Sequence, residues 1–408
     1  MRIVHIIDYF KPKLGYQETF LAKKHIEMGF DVWVLTSNIL FSSSIYKNID
    51  KKNNKINSGI YKEEGINVLR LDAIFELFSR VWLKNLKKEL NILKPDVIFV
   101  HGIYSVTAVR IALWKLANKK NNVFLGFDSH MAEVMSANRL FYPVFRFIYK
   151  NFLKNIILKA SDTKIIAVAN VTKDYMMKNY YFKESDIIVI PLGVDISLFR
   201  RDLKNRYLMR KKYNIEEDEL VFIYVGKIMP KKGLGILLEA SSLLLKRKLK
   251  FKLVILGMSE LSYLDELKLL VKNLNLGKNV LWIDFVPNNE LPKYYSIADI
   301  GVWPSHVSIT RLEAMGCELP IIVNYSNVSL EWLKNDNGLT YDEGNVNELS
   351  EKMYLLGNNK RLRYEMGKRG RELVENEFSW DEISKKFLDL VHGKLLKRKE
   401  HDVFTNFR

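Results

Sequence analysis

The sequence predicts an α/β protein of two doubly wound parallel-sheet units, and three observations carry that reading. Short β-branched runs alternate with longer amphipathic segments along the chain, the pattern of parallel strands joined by crossover helices. The length of 408 residues exceeds the roughly 250–300 that a single core organises. A charged stretch from Arg200 to Glu219 separates two series of such strands.

In the first series, Ile3 to Asp8 reads as a buried strand and Tyr9 to Tyr16 as a loop. Gln17 to Met28 reads as a helix stopped by Gly29, and Asp31 to Leu35 as the next strand. Val97 to Val100, Val123 to Phe127, Lys164 to Val168 and Ile187 to Ile190 are further strands. The second series comprises Leu220 to Val225, Phe251 to Leu256, Val280 to Ile283, Ile300 to Trp303 and Pro320 to Val323. From Asn347 onward the chain reads as helical, and Ser379-Trp-Asp-Glu382 as the capping box of a last helix. The expected units are residues 1–198 and 199–378, with a closing helix and tail over 379–408 that packs back on the first. Ligands of such sheets bind beyond the carboxyl ends of the strands, so a cleft between the units is the expected site.

Composition narrows the classes. A hydrophobic fraction of 48% with 12% aromatics excludes disorder, and no stretch reaches the roughly 18 apolar residues of a membrane span. Met1 leads directly into a strand, so the reading is a cytoplasmic protein, with peripheral contact at the inner membrane face left open. One cysteine, Cys317, and seven scattered His give no ligand spacing for structural zinc, and no metal is expected. Sixty-four Lys and Arg against 47 Asp and Glu give +17, which favours an anionic partner. Nucleic acid is disfavoured, since no RNP, KH or helix-turn-helix pattern accompanies the charge.

Val225-Gly226-Lys227-Ile-Met-Pro-Lys231-Lys232-Gly233-Leu-Gly235 joins a strand to a helix. Free amides at a helix N-terminus, its dipole and ammonium groups form an anion site of the diphosphate type; a solvated basic loop is the alternative. The pattern is neither a Walker loop nor a Gly-x-Gly-x-x-Gly fingerprint, which disfavours nucleoside triphosphates and NAD. Farther on, Trp303-Pro-Ser305-His-Val-Ser308-Ile309-Thr310-Arg-Leu-Glu313 carries a carboxylate onto a short helix. Glu313 either accepts hydrogen bonds from vicinal sugar hydroxyls or closes a capping box with Thr310. In the segment from Arg139 to Lys159, Arg139, Arg146, Lys150 and Lys154 form one stripe, with Phe141, Phe145, Ile148, Phe152 and Ile156 opposite. It reads as a crossover helix burying its aromatic face and solvating its basic one, or as an anionic membrane contact made through the bases.

Several of these motifs, in order, resemble the family 4 retaining glycosyltransferases of the GT-B fold, in which two Rossmann-like domains face each other across a cleft. The likeness runs from Asp8-Tyr-Phe-Lys-Pro-Lys-Leu-Gly15 through His101-Gly102, Pro191-Leu-Gly193-Val-Asp195 and Gly226-Lys227 with Lys232-Gly233 to Leu312-Glu313-Ala-Met315. The resemblance implies a nucleotide-sugar donor, with UDP or GDP as its nucleotide, a glycan or lipid-linked acceptor, and no metal or other cofactor. It places Lys227 and Lys232 on the donor diphosphate beside Gly226, Glu313 on the ribose hydroxyls, Gly15 in the first phosphate-facing loop and His130 against the donor sugar. His130 otherwise reads as a hydrogen-bonded core imidazole.

The chain departs from the family pattern at three places. Tyr16 replaces the second glycine of the first loop, Glu318 replaces a glycine before Pro320, and Ser305 stands where the paired-glutamate motif has its earlier Glu. Backbone amides or the hydroxyls of Ser308 and Thr310, with Ile309 between them, then have to hold the donor sugar. These losses leave an alternative reading, a non-catalytic GT-B scaffold docking on an anionic membrane or partner, which the retained Lys227, Lys232 and Glu313 oppose.

Overall fold

The computed structural model describes residues 1–12, 16–41, 54–77, 80–118, 122–130, 142–259, 261–306 and 308–405, with side chains to Gly393. The chain divides into two units, Met1–Leu192 with Ile383–Arg408, and Gly193–Glu382.

The first unit holds an eight-stranded sheet in the order β10-β9-β8-β7-β1-β2-β4-β3. Its strands are β1 (Arg2–Ile6), β2 (Asp31–Ser37), β3 (Gly59–Glu63), β4 (Ile66–Leu71), β7 (Val97–His101), β8 (Phe124–Ser129), β9 (Ile165–Ala167) and β10 (Ile187–Val189). All pair in parallel except β3, which folds back on β4 with Glu63 opposite Ile66. The two residues between them, Glu64 and Gly65, both have positive φ (50° and 82°), the backbone a two-residue hairpin needs. A separate hairpin, β5 (Ala73–Leu77) and β6 (Arg80–Leu83), follows. The parallel strands read as near-continuous Val, Ile, Leu and Phe because both faces of the sheet are covered. From Ile383 the last helix, Trp380–Thr405, belongs to this unit, where Phe387 meets Phe99 edge-on at 5.1 Å.

The second unit is a six-stranded, wholly parallel sheet in the order β13-β12-β11-β14-β15-β16. Its strands are β11 (Leu220–Val225), β12 (Phe251–Leu256), β13 (Val280–Ile283), β14 (Ile300–Trp303), β15 (Ile321–Asn324) and β16 (Gly338–Tyr341). The division falls at Gly193 and Glu382, not at 198 and 378, because the 193–199 segment is built into this second unit. Val194 N–H donates to Phe378 O at 2.7 Å, Trp380 N–H donates to Val194 O at 3.2 Å, and Phe199 packs on Tyr295. Gly193 is required there, since a Cβ would lie 2.6 Å from the Trp380 ring.

The basic stripe does not face solvent as its pattern predicts. Arg146 Nε donates to Asn179 O at 2.8 Å, Lys154 Nζ donates to Tyr181 O at 2.8 Å, and Lys150 Nζ sits 3.7 Å above the Tyr181 ring. These groups cluster at the C-terminus of helix Asn170–Tyr180, where unpaired carbonyls and the dipole attract cations. The opposite face is split: Phe145 and Ile156 pack on the core of the first unit as expected, whereas Ile148 and Phe152 are turned out beside Phe147, so the buried-aromatic reading is corrected at those two positions. Arg139 and Phe141 lie outside the described residues.

Candidate functional site in the second unit

Strand order reverses between β11 and β14, which places a crevice at their carboxyl ends. Both predicted loops emerge there. Gly226 follows β11, with φ 154° and its N–H bonded to Leu256 O at 3.0 Å. Tyr224 OH then donates to Lys227 O at 2.9 Å, fixing the backbone beneath the exposed Lys227 side chain. Pro230–Lys232 forms one 3-10 turn, and Gly233 leaves it in the left-handed region (φ 69°) to start helix Leu234–Lys246. A Cβ on Gly233 would press on Ser305 and Pro304 at 3.2 and 3.3 Å. That close approach seats the helix N-terminus against the loop after β14.

Lys232 is half-buried beside it, and its pKa is pushed down to about 8, first by burial and then by the charges of Arg311, Lys231 and Lys227. Among the described residues it has no carboxylate partner. Lys227, Lys231 and Lys232 thus converge with a helix N-terminus on one spot, an arrangement suited to a dianion.

Arg311 is the residue that pattern reading misses. It is fully buried, donating from Nη1 to Ser329 Oγ at 3.0 Å and from Nη2 to His306 O and Asn324 Oδ1 at 3.0 and 3.1 Å. Its Nε has no partner among the described residues, and burial lowers its pKa to about 10. Asn324 Nδ2 in turn donates to Glu343 Oε2 at 3.1 Å, and Ser305 Oγ donates to Glu343 Oε1. A carboxylate therefore reaches the Ser305 position from residue 343. The only sequence signal for this cluster is a second charged residue, Arg311, beside Glu313 in a short helix that is otherwise apolar from Leu312 to Met315.

Thr310 holds the two loops together. Its Oγ1 donates to Val225 O at 2.8 Å, lies 2.8 Å from Ser308 Oγ and accepts from Trp303 Nε1 at 3.0 Å. Ile309 caps helix Thr310–Gly316 with its carbonyl, which accepts from Leu312 and Glu313 N–H, and already has helical φ and ψ. No side chain caps this helix, so the capping-box reading of Glu313 is corrected. The buried Glu313 instead accepts from Asn288 Nδ2 at 2.9 Å and from Tyr295 OH at 3.0 Å. Burial raises its pKa to about 7 against those two hydrogen bonds. A carboxylate offers about four acceptor sites, so two remain for a ligand's hydroxyls.

His130 belongs to the first unit, at the end of β8, with Nε2 3.9 Å from Asp128 Oδ1. Burial lowers its pKa more than Asp128 raises it, which leaves the imidazole neutral. Gly15 lies outside the described residues. Among those residues no three His, Cys, Asp or Glu side chains converge for a metal ion, and no helix is long and apolar enough to cross a membrane.

The sequence profile described as glycosyl transferases group 1 matches residues 205–373, and that described as glycosyltransferase family 4 matches residues 20–198. The chain belongs to the group 1, family 4 glycosyltransferases. Among relatives of this glycosyltransferase is the capsular polysaccharide biosynthesis glycosyltransferase CapM of Staphylococcus aureus, 27% identical over 58% of the chain and 63% of CapM. A GDP-mannose-dependent alpha-(1-6)-phosphatidylinositol monomannoside mannosyltransferase of Mycobacterium tuberculosis is 28% identical over 50% of the chain and 55% of its own length. The matched part of the chain thus spans between half and two thirds of these curated relatives. An uncharacterized glycosyltransferase of Methanocaldococcus jannaschii is 25% identical over 91% of both chains. In three dimensions the chain is similar to HepE of Anabaena in complex with UDP (TM-score 0.72, 15% identity, 96% of this chain and 100% of that one). It is also similar to sucrose-phosphate synthase of Thermosynechococcus elongatus (TM-score 0.71, 18% identity, 97% and 99%). These likenesses establish the GT-B fold.

Proposed function

We propose that this glycosyltransferase moves a sugar from a nucleoside diphosphate sugar to a glycan or lipid-linked acceptor, with retention of anomeric configuration and without a metal. The observation that carries the reading is the cationic corner in which half-buried Lys232, with no carboxylate partner among the described residues, adjoins a helix N-terminus and the buried Arg311. A diphosphate leaving group fits that corner, and its two phosphates neutralise what the fold leaves uncompensated. Glu313 is assigned to the ribose diol through its two remaining acceptor sites, with Asn288 and Tyr295 orienting the carboxylate. His130 and Gly15 keep their assignments to the donor from the family resemblance, and Ser308 keeps its assignment as a hydroxyl standing in for the missing earlier Glu. Thr310 is assigned to support, because its hydroxyl already serves Val225 and Trp303.

In the proposed reaction the bond from the anomeric carbon to the diphosphate oxygen breaks as the acceptor hydroxyl approaches the same face of the sugar. The acceptor proton passes to the departing phosphate oxygen, so no side chain has to act as general base. Lys227, Lys232 and the first-turn amides of helix Leu234–Lys246 meet the charge that grows on the diphosphate, preorganised for it. Relatives support either donor nucleotide and a lipid-borne acceptor. One is named for GDP-mannose and phosphatidylinositol monomannoside, and another, of Escherichia coli, for UDP-Gal and GlcNAc-diphosphoundecaprenol.

The test is a nucleotide-release screen of the purified chain with UDP-, GDP- and ADP-sugars, with and without membrane lipid extract. Lipid-dependent release from one UDP- or GDP-sugar is expected. Absence of nucleotide binding and of release with every donor would favour the non-catalytic scaffold.

A further inference from the structure

The helical run 142–160 exposes Val144, Phe147, Ile148 and Phe152 at 58, 63, 42 and 61% of their surfaces. Their spacing of i, i+3, i+4 and i+8 puts them on one face, while Tyr149 and Ile157 on the other are buried in the core of the first unit. The hairpin β5–β6 presents a second apolar face. Ile74, Phe75, Leu77 and Trp82 are exposed on it, and Phe75 stacks on Trp82 with centroids 5.8 Å apart. The two elements adjoin, since Arg80, opposite Leu77 in the hairpin, lies 3.9 Å over the ring of Phe145, which packs from the helix against the core.

Eight large apolar side chains on two adjoining elements exceed the scattered exposure normal for a surface. Their surroundings are cationic. The 142–160 run carries Arg146, Lys150, Lys154 and Lys159 and no acid, and Lys84, Lys87 and Lys88 stand exposed just after the hairpin. The one acidic side chain within the hairpin, Glu76, accepts from Tyr9 OH at 2.7 Å. An apolar face ringed by bases matches a bilayer boundary, where rings enter the acyl layer and ammonium groups sit at the phosphates.

We propose that the outward face of the 142–153 helix and the β5–β6 hairpin form a docking surface for an anionic lipid bilayer, inserted through Phe147, Phe152, Phe75 and Trp82. The exposed Lys84, Lys87, Lys88 and Lys159 supply attraction from the flanks and the rings supply the anchor. This differs from a contact made by the basic stripe, whose groups are already held at the 179–182 turn. It stands on exposure and charge and is independent of the donor assignment.

The experiment is co-sedimentation of the full chain with vesicles of phosphatidylglycerol and phosphatidylcholine. Wild type, Phe147→Ser/Phe152→Ser and Phe75→Ser are compared, with melting temperature and UDP and GDP affinity measured in parallel. All three positions are exposed, so folding and nucleotide affinity should be unchanged. Vesicle binding should fall at least about tenfold in the double variant and less in Phe75→Ser, and salt should weaken wild-type binding without abolishing it. Wild type that does not sediment, a double variant that binds like wild type, or full release by salt would overturn the proposal. So would a wild-type dimer that Phe147→Ser/Phe152→Ser makes monomeric, which would assign the face to a second copy. Vesicle binding without any nucleotide binding would leave this surface standing and remove the donor reading instead.

Discussion

The two units have the same kind of sheet with the same kind of reversal in strand order, yet their crevices are lined with opposite chemistry. In the second unit, β11 and β14 open on Lys227, Lys231, Lys232 and the buried Arg311. In the first, β1 and β7 open on Asp8, Glu18, His101 and Asp128, all buried. Burial raises Asp8 to about 6 and Glu18 to about 7. Burial also depresses His101, but the adjacent Asp128 carboxylate outweighs it, with Nδ1 2.5 Å from Oδ2, and the net shift is upward. Behind His101 the imidazoles of His5 and His25 continue the chain at 2.9 and 3.1 Å. Topology therefore fixes where a ligand can enter and leaves open what it can be. A cationic crevice selects a phosphate, whereas one holding buried carboxyls and imidazoles offers hydrogen-bond acceptors and donors suited to hydroxyls.

The contrast breaks most sharply at Lys232. Lys232→Ala should lower donor turnover by about 10²–10³-fold with an unchanged melting temperature, because a loop ammonium supports little of the fold. In the wild type the ammonium is present below about pH 8 and lost above it. Nucleotide diphosphate affinity should accordingly fall as pH rises through 8, and Lys232→Arg should remove that dependence, both read by calorimetric titration. Retained turnover in the Ala variant would deny the second crevice its phosphate.

A smaller effect is expected at Glu313. Its pKa is raised in the fold, so between the ordinary carboxyl range and about 7 the folded state holds the extra proton and stability declines as pH rises. Glu313→Gln removes that buried charge. Its melting temperature above pH 7 should equal or exceed wild type, while nucleotide affinity drops about tenfold through loss of a charge-assisted hydrogen bond. Unchanged affinity would make Glu313 merely the anchor of Asn288 and Tyr295.

The smallest effect tests the first crevice. Asp8 accepts from Thr107 Oγ1 and, more weakly, from Val81 N–H at 3.5 Å. Asp8→Asn keeps the acceptor oxygen that Thr107 uses, gives up only the weak one to Val81, and should change nucleotide affinity by less than about twofold. Stability near pH 7 should not fall, since the buried charge present above about pH 6 is gone. A large loss of nucleotide affinity would show that the two crevices are not chemically separate.

Much of this was legible in the chain and some was not, for physical reasons. Buried parallel strands such as Leu220–Val225 are uninterrupted apolar runs, and the expected bounds of β11 to β14 agree with the structure to the residue. The β3 and β5 strands are not legible because half-exposed segments such as Gly59–Glu63 resemble loop composition until a partner is known, and in the buried β4 the polar Asn67 and Arg70 interrupt the apolar run. Gly226-Lys227 and Lys232-Gly233 were readable because the phosphate-loop geometry is local. Arg311, Asn324 and Glu343 were not, because three separate segments bring them together. The 142–160 helix shows a different limit. Periodicity grouped Ile148 and Phe152, which are exposed, with Phe145 and Ile156, which pack on the core, because the side that is covered depends on the carbonyls of a helix end some thirty residues on.

Trp303 gives the second crevice an optical handle. The indole is buried under the meeting point of the two loops, and its N–H is shared between Val225 O at 2.9 Å and Thr310 Oγ1 at 3.0 Å. A ligand that draws the Thr310–Gly316 turn toward itself shifts that shared proton from one acceptor to the other. The fluorophore therefore sits where a displacement of that turn changes its own hydrogen bond, and with the other six tryptophans replaced its emission reports on the crevice without a label.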